Sequence, residues 1–151
     1  MKALVIYDSV FGNTEKIAQA IAKALGMQAL KAESVQPEQL AGLELIVVGS
    51  PTRKFQATPA TVAMLKRIPR GALQGVKAAA FDTRIAVDKV KSSLLHVMVK
   101  LFGYAAEKIA RRLQKKGGVP ALAPEGFFVN GTEGPLRAGE IERAAAWARS
   151  L

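Results

Sequence analysis

Apolar and polar positions alternate along this chain in two distinct rhythms. Ala3-Leu4-Val5-Ile6-Tyr7 is a continuous apolar run of strand length. Ile17, Ala18, Ile21, Ala22 and Leu25 then recur at the three- and four-residue spacing of one helix face, which Gly26 closes. Met27 to Ala32 is a weaker, mixed strand pattern, and Pro37-Glu38-Gln39-Leu40 reads as a short helical turn opened by proline. Leu45-Ile46-Val47-Val48-Gly49 is charge-free and β-branched, as a strand covered on both faces should be. Thr58-Pro59 opens a helix with Val62, Leu65 and Ile68 on one side, and Val76 to Asp82 predicts a fourth strand. Helical spacing returns at Val87, Val90, Leu94, Met98, Leu101 and Phe102, and again at Ala105, Ile109 and Leu113 before Gly117-Gly118. Phe127-Phe128-Val129 predicts a last strand, and Leu136 to Leu151 a last helix with Trp147 on its inner face.

Strands alternating with helices call for an α/β fold of three layers, a parallel sheet with helices on both faces. The 151 residues suit one domain over 1–151, with an apolar and basic insert at about 85–102. The first strand feeds Ser9-Val10-Phe11-Gly12-Asn13-Thr14, which opens the first helix. Such a turn aims unpaired N–H groups and the positive end of the helix dipole at one point, a site for a phosphate or simply a helix cap.

Charge and composition narrow the chemistry. Lys and Arg number 22 against 12 acidic residues, and residues 1–50, 51–116 and 117–151 carry −1, +12 and −1. A basic middle implies an anionic partner or substrate, or else solvated helix faces. With no cysteine, disulfides, thiolate metal sites and Cys nucleophiles are excluded. That composition, and the lack of a leader-like pattern in the first 25 residues, point to the cytoplasm. No metal-ligand spacing, Ser/His/Asp order or paired-carboxylate motif is present.

Together these features resemble the flavodoxin family across essentially the whole chain. The family's phosphate loop, Ser/Thr-x-Thr-Gly-Asn-Thr, is matched at Ser9, Gly12, Asn13 and Thr14, with Phe11 where the family has a hydroxyl. Gly49-Ser50-Pro51-Thr52 follows the third strand and Asp82-Thr83-Arg84 ends the fourth, where the family's two flavin loops lie. Residues 130–136, then Gly139-Glu140 and the helix bearing Trp147, resemble the closing segment of small flavodoxin-like proteins. The resemblance implies a five-stranded parallel sheet in the family's order, 2-1-3-4-5. It implies FMN as cofactor and electron transfer as function.

On this reading Ser9, Val10, Phe11, Gly12, Asn13 and Thr14 hold the phosphate. Pro51, Thr52, Arg53, Lys54 and Phe55 line the ring, and Asp82, Thr83 and Arg84 border its pyrimidine side. Phe11 either anchors the turn on the sheet or covers the flavin edge. Arg53, Lys54, Arg84, Lys89 and Lys91 would favour the anionic reduced flavin if they face it. The family's Trp/Tyr sandwich has no counterpart here: Trp147 reads as core, and Phe55 is the aromatic best placed to stack.

The alternative is an FMN-dependent oxidoreductase acting on a quinone or porphyrinogen. On either reading the insert, with its lone His96, is a packed helix, a homodimer face, a cover over a hydrophobic substrate or a peripheral membrane contact, the cover being the role that suits the enzyme. Expected partners are redox proteins, acidic ones to match the basic middle. A flavin-free nucleic-acid module has the charge but lacks a stacking cluster or recognition motif.

Overall fold

The computed structural model describes residues 1–86 and 93–151. Val87, Lys89, Val90 and Lys91 lie outside the described residues. Among the described residues six strands and five helices follow one another: β1 (Ala3–Tyr7), α1 (Asn13–Ala24), β2 (Ala29–Lys31), β3 (Leu45–Pro51), α2 (Pro59–Arg67) and β4 (Lys77–Ile85). Then come α3 (Ser93–Phe102), α4 (Ala105–Lys115), β5 (Val119–Pro120), β6 (Glu125–Val129) and α5 (Glu140–Arg149). All strand pairs in the sheet are parallel, in the order β2-β1-β3-β4 with β5 and β6 both on the far side of β4. The expected 2-1-3-4-5 arrangement therefore holds, with its fifth position divided. β5 pairs with Lys77 and Ala78, and β6 with Phe81 to Ile85. The two-residue β5 left no periodic signal in the sequence.

The period-two alternation of the strands sorts their side chains into two cores. Leu4, Ile6, Ile46, Val48, Ala78 and Ala80 meet Met64, Leu65, Ile109 and Leu113 of α2 and α4. Val5, Tyr7, Val47, Ala79, Phe81 and Phe127 meet Ile17, Ile21, Ala144 and Ala148 of α1 and α5. Trp147 belongs to the second core, edge-on to Phe81 and Phe127. Burying Ile109 and Leu113 on α4 contributes about 1.5–3 kcal/mol each, enough to fix a helix otherwise rich in charge. Gly49 sits opposite Phe81, whose ring lies over it; a Cβ there would stand 2.0 Å from the ring.

β4 runs past its predicted end at Asp82, through Thr83, Arg84 and Ile85. The alternation consequently carries Asp82 to the α4 side and Thr83 to the α1 side. Both 3-10 turns, Ala32–Ser34 and Pro37–Leu40, lie between β2 and β3. Lys66, Arg70, Arg112, Lys115 and Lys116, part of the basic middle, ring an open depression of about 510 Å³. Lys116 is tied to Leu73 just before β4, so this depression lies at the N-terminal end of the sheet. Among the described residues, no helix is long and apolar enough to cross a membrane.

Candidate functional site

At the opposite end, where β1, β3 and β4 finish, three segments converge on a crevice of about 240 Å³. β1 and β3 are neighbours whose connections leave in opposite directions, the switch point at which open α/β sheets bind ligands.

The turn after β1 forms one bank. Gly12 takes φ 91°, which glycine adopts without the clash a Cβ brings. Its carbonyl accepts the first helical bond, from Lys16 N–H at 3.1 Å. The Ser9 hydroxyl oxygen accepts from the N–H of Gly12 (3.1 Å) and of Glu15 (3.3 Å), so a side chain satisfies two of the donors that open α1. Thr14 is buried, and its hydroxyl pairs with that of Thr83 at 2.7 Å, joining the start of α1 to β4. Asn13 donates from Nδ2 to the Glu133 carbonyl at 3.1 Å, which draws residues 130–136 over the turn.

The second bank follows β3. The N–H of Thr52 donates to the Thr83 carbonyl at 3.0 Å, while its hydroxyl accepts from Ala105 N–H at 2.9 Å, tying the loop to the start of α4. Arg53 and Gln56 exchange backbone bonds of 2.8 and 3.0 Å around Lys54 and Phe55. Both central residues have positive φ, 50° and 67°. Neither is Gly, Asn or Asp, and the left-handed conformation costs roughly 1–2 kcal/mol per residue. The turn is held by a bond from Lys108 Nζ to the Phe55 carbonyl and by the Phe55 ring against Phe102, centroids 5.7 Å apart.

The third segment, the end of β4, divides between the two faces. Thr83 lines the crevice. Asp82 is fully buried on the other side and accepts from Arg84 Nε (2.6 Å), Arg84 Nη2 (2.8 Å) and Ala106 N–H (3.0 Å). Burial pushes the Asp82 carboxyl above its ordinary range, and the Arg84 guanidinium, the Ala106 N–H and the Thr52 hydroxyl pull it part of the way back. Arg84 is stacked on the Tyr104 ring, 3.6 Å from its centroid. Burial raises the Tyr104 phenol, against the opposing pull of Arg84. On the far bank the Tyr7 hydroxyl donates to Glu15 Oε1 at 2.9 Å, and burial together with that carboxylate pushes it up to about 12.

Of the residues expected to hold FMN, Ser9, Val10, Phe11, Asn13, Thr14, Pro51, Thr52, Arg53, Lys54, Thr83 and Arg84 line this one crevice. Gly12 shapes the turn without lining it. Two expected residues sit away from it, and a third is partnered elsewhere. Asp82 faces α4, because β4 continues through it and alternation turns it away. Arg84 touches the crevice, but its charge is spent on Asp82. Phe55, the expected stacking ring, points to α3 and lines a second, more apolar cavity of about 230 Å³ with Ile85, Leu95, Val99 and Tyr104. Phe11 does not anchor the turn on the sheet: it is 45 % exposed, with the Arg53 guanidinium 5.7 Å from its ring centre. Sequence reasoning missed Ile85, Val129 and Thr132 as lining residues. Thr132 lay within the closing segment already singled out; the two aliphatic residues carried no signal beyond strand propensity.

The family model described as "Flavodoxin domain" matches residues 4–122, which include all three segments. The chain belongs to the flavodoxin family. Solved structures agree with this flavodoxin-family chain in fold. Oxidised flavodoxin 1 of Bacillus cereus superposes with a TM-score of 0.77 at 18% identity, covering 99% of this chain and 96% of that one. A flavodoxin from the domain Archaea gives 0.71 at 21% identity, covering 98% and 94%. The flavodoxin, WrbA-like protein of Agrobacterium tumefaciens gives 0.72 at 15% identity, covering 97% and 91%. No curated protein matches.

Proposed function

We propose that this chain binds FMN in the crevice and transfers electrons between redox partners. The observation that carries the reading is the convergence of the helix-opening turn, the post-β3 loop and Thr83 on one crevice at the β1/β3 switch point. The donor set suits the cofactor: no carboxylate is among the lining residues, while Ser9, Asn13, Thr14, Thr52, Thr83 and Thr132 are. The N-terminal N–H groups of α1 and the Ser9 hydroxyl would hold the phosphate without a lysine. Thr14 and Thr83, already paired, hold the crevice wall, and the Pro51–Lys54 backbone borders the ring. At about 240 Å³ the crevice is smaller than the roughly 300–1,000 Å³ of most ligand pockets, so a bound ring would keep one edge in solvent. When bound, the flavin supplies the redox chemistry. Arg53 and Lys54 at the mouth favour negative charge on whatever lies there and attract an acidic redox partner. The cysteine-free composition suits work in the cytoplasm.

Titration of purified protein into FMN should quench flavin fluorescence at one equivalent. Riboflavin, which lacks the phosphate, should bind at least about tenfold more weakly. Unchanged FMN fluorescence would sink the proposal; equal affinity for riboflavin would remove the phosphate role of Ser9 to Thr14.

A second reading, an FMN-dependent oxidoreductase acting on a quinone or porphyrinogen, is favoured by the apolar cavity beneath α3. That cavity shares Thr52, Lys54, Arg84 and Ile85 with the crevice, so an apolar substrate there would lie beside the ring. Steady turnover of a soluble quinone with a nicotinamide donor supports it, and its absence leaves the carrier.

A further inference from the structure

Viewed down its axis at about 100° per residue, α3 carries an apolar arc of roughly 200°, twice the stripe that a surface helix needs to seat on a core. One flank, Leu95 and Val99, closes the apolar cavity. The other flank faces solvent: Leu94, Val97 and Leu101 are 69%, 54% and 72% exposed. Ser93, His96 and Lys100 make up the narrow polar arc.

The exposure is not scattered. Across the crevice, Val10 and Phe11 are also exposed, and Phe102 ends α3 beside Phe55. Of nine exposed large apolar side chains among the described residues, four thus belong to α3, whose inner flank closes the apolar cavity, and two to the crevice beside it. Exposed Arg53 and Lys54 occupy the turn after β3, and exposed Lys100 lies on α3 itself. Isolated exposed leucines need no explanation, but a patch interleaved with cations does.

We propose that this rim seats on an anionic membrane surface. Leu94, Val97 and Leu101 would enter the boundary between headgroups and acyl chains, and Arg53, Lys54 and Lys100 would meet the headgroup phosphates. Charge decides against a second copy as occupant. A two-fold contact through this rim would bring the cations of both copies, Arg53, Lys54 and Lys100 of each, into one interface. Docked this way, the crevice mouth opens toward the bilayer. Seating of the rim on a membrane does not depend on FMN.

Sedimentation with vesicles tests it, using the full chain with and without added FMN. The chain should bind vesicles containing roughly one third phosphatidylglycerol and leave pure phosphatidylcholine vesicles unbound, with binding weakened by salt. The Leu94→Ser/Val97→Ser/Leu101→Ser variant keeps every charge and alters only exposed positions, so its thermal melt should match the parent's. Its affinity for the anionic vesicles should fall about tenfold or more. Lys115→Gln/Lys116→Gln, at the other end of the sheet, should change binding by less than about twofold. Three results would each overturn the proposal. They are no binding to anionic vesicles, full binding by the triple serine variant, and a concentration-dependent dimer that the same variant dissolves. A loss in the distal lysine variant equal to that of the serine variant would also overturn it, by placing the contact elsewhere.

Discussion

Replacing Arg84 by alanine isolates one interaction on which the crevice rests. Asp82 is fully buried and Arg84 is 15% exposed, so the carboxylate relies on protein donors for its pairing. The variant loses two charge-assisted bonds, of 2.6 and 2.8 Å, and the stack on Tyr104. It leaves a buried carboxylate with only the Ala106 N–H and the Thr52 hydroxyl. Breaking a buried pair from one side costs about 3–5 kcal/mol, which for a chain of this size lowers Tm by roughly 6–20 °C. The pH dependence gives a second handle. Burial already holds the Asp82 carboxyl above its ordinary value of 3.8, and removing Arg84 deletes the two strongest opposing influences. A carboxyl raised in the folded state loses stability as pH rises from its unfolded value through its folded one. The deficit relative to the parent should therefore grow between about pH 4 and pH 7. Asp82→Asn in the Arg84→Ala background removes the stranded charge and should restore about 2 kcal/mol at pH 7. Urea unfolding at both pH values measures all three quantities. A deficit below about 1 kcal/mol at pH 7, or one independent of pH, would refute the reasoning.

Other expectations follow from single contacts. Gly49→Ala should cost about 1–3 kcal/mol or more in urea unfolding, because Phe81 is wedged between Phe127 and Trp147 and cannot yield to a Cβ 2.0 Å away. Lys54→Gly should leave Tm unchanged or raise it slightly: relief of the positive φ of 50° outweighs the entropy glycine adds to the unfolded chain. A clear fall in Tm would show that the Lys54 side chain contributes more than its backbone strain costs. Tyr7, raised to about 12 from 10.0, makes the fold less stable as pH climbs through that window, by about 2–3 kcal/mol in all. Tyr7→Phe should flatten the alkaline limb of the stability curve; an unchanged limb would assign it to other groups.

Where one local pattern dominates, the structure was legible in the sequence. The apolar runs of β1 and β3, the spacing of Ile17 and Ile21 and the Thr58-Pro59 start of α2 all formed as read. Thr58 caps that helix, its hydroxyl oxygen accepting from the N–H of Thr61. The turn from Ser9 to Thr14 was legible for the same reason, since its residue types answer local backbone demands. What stayed hidden depended on register. Asp82 ends the predicted strand and Arg84 looks like a loop residue beyond it, because charge seldom sits inside a buried parallel strand. Only their mutual pairing allows β4 to run on, and a pair two residues apart on one strand face becomes visible once the strand is known. Phe55 likewise reads as a ring beside a ligand until α3 presents Phe102 to it. Arg84 shows the general case, in which a cation counted by position turns out to be neutralised by its neighbour.

The divided fifth position of the sheet has a consequence for behaviour in concentrated solution. One outer strand, β2, offers only three residues. The other is broken into two and five, with Pro120 in the first piece and Pro124 just before the second. A neighbouring molecule or a partly folded chain thus finds no long run of free N–H and C=O groups to extend, and each proline removes a donor. The apolar β1, β3 and β4, which would template aggregation if they lay at a border, are kept inside. The interruption beside β4 guards the buried strands of the sheet against growing into a fibre.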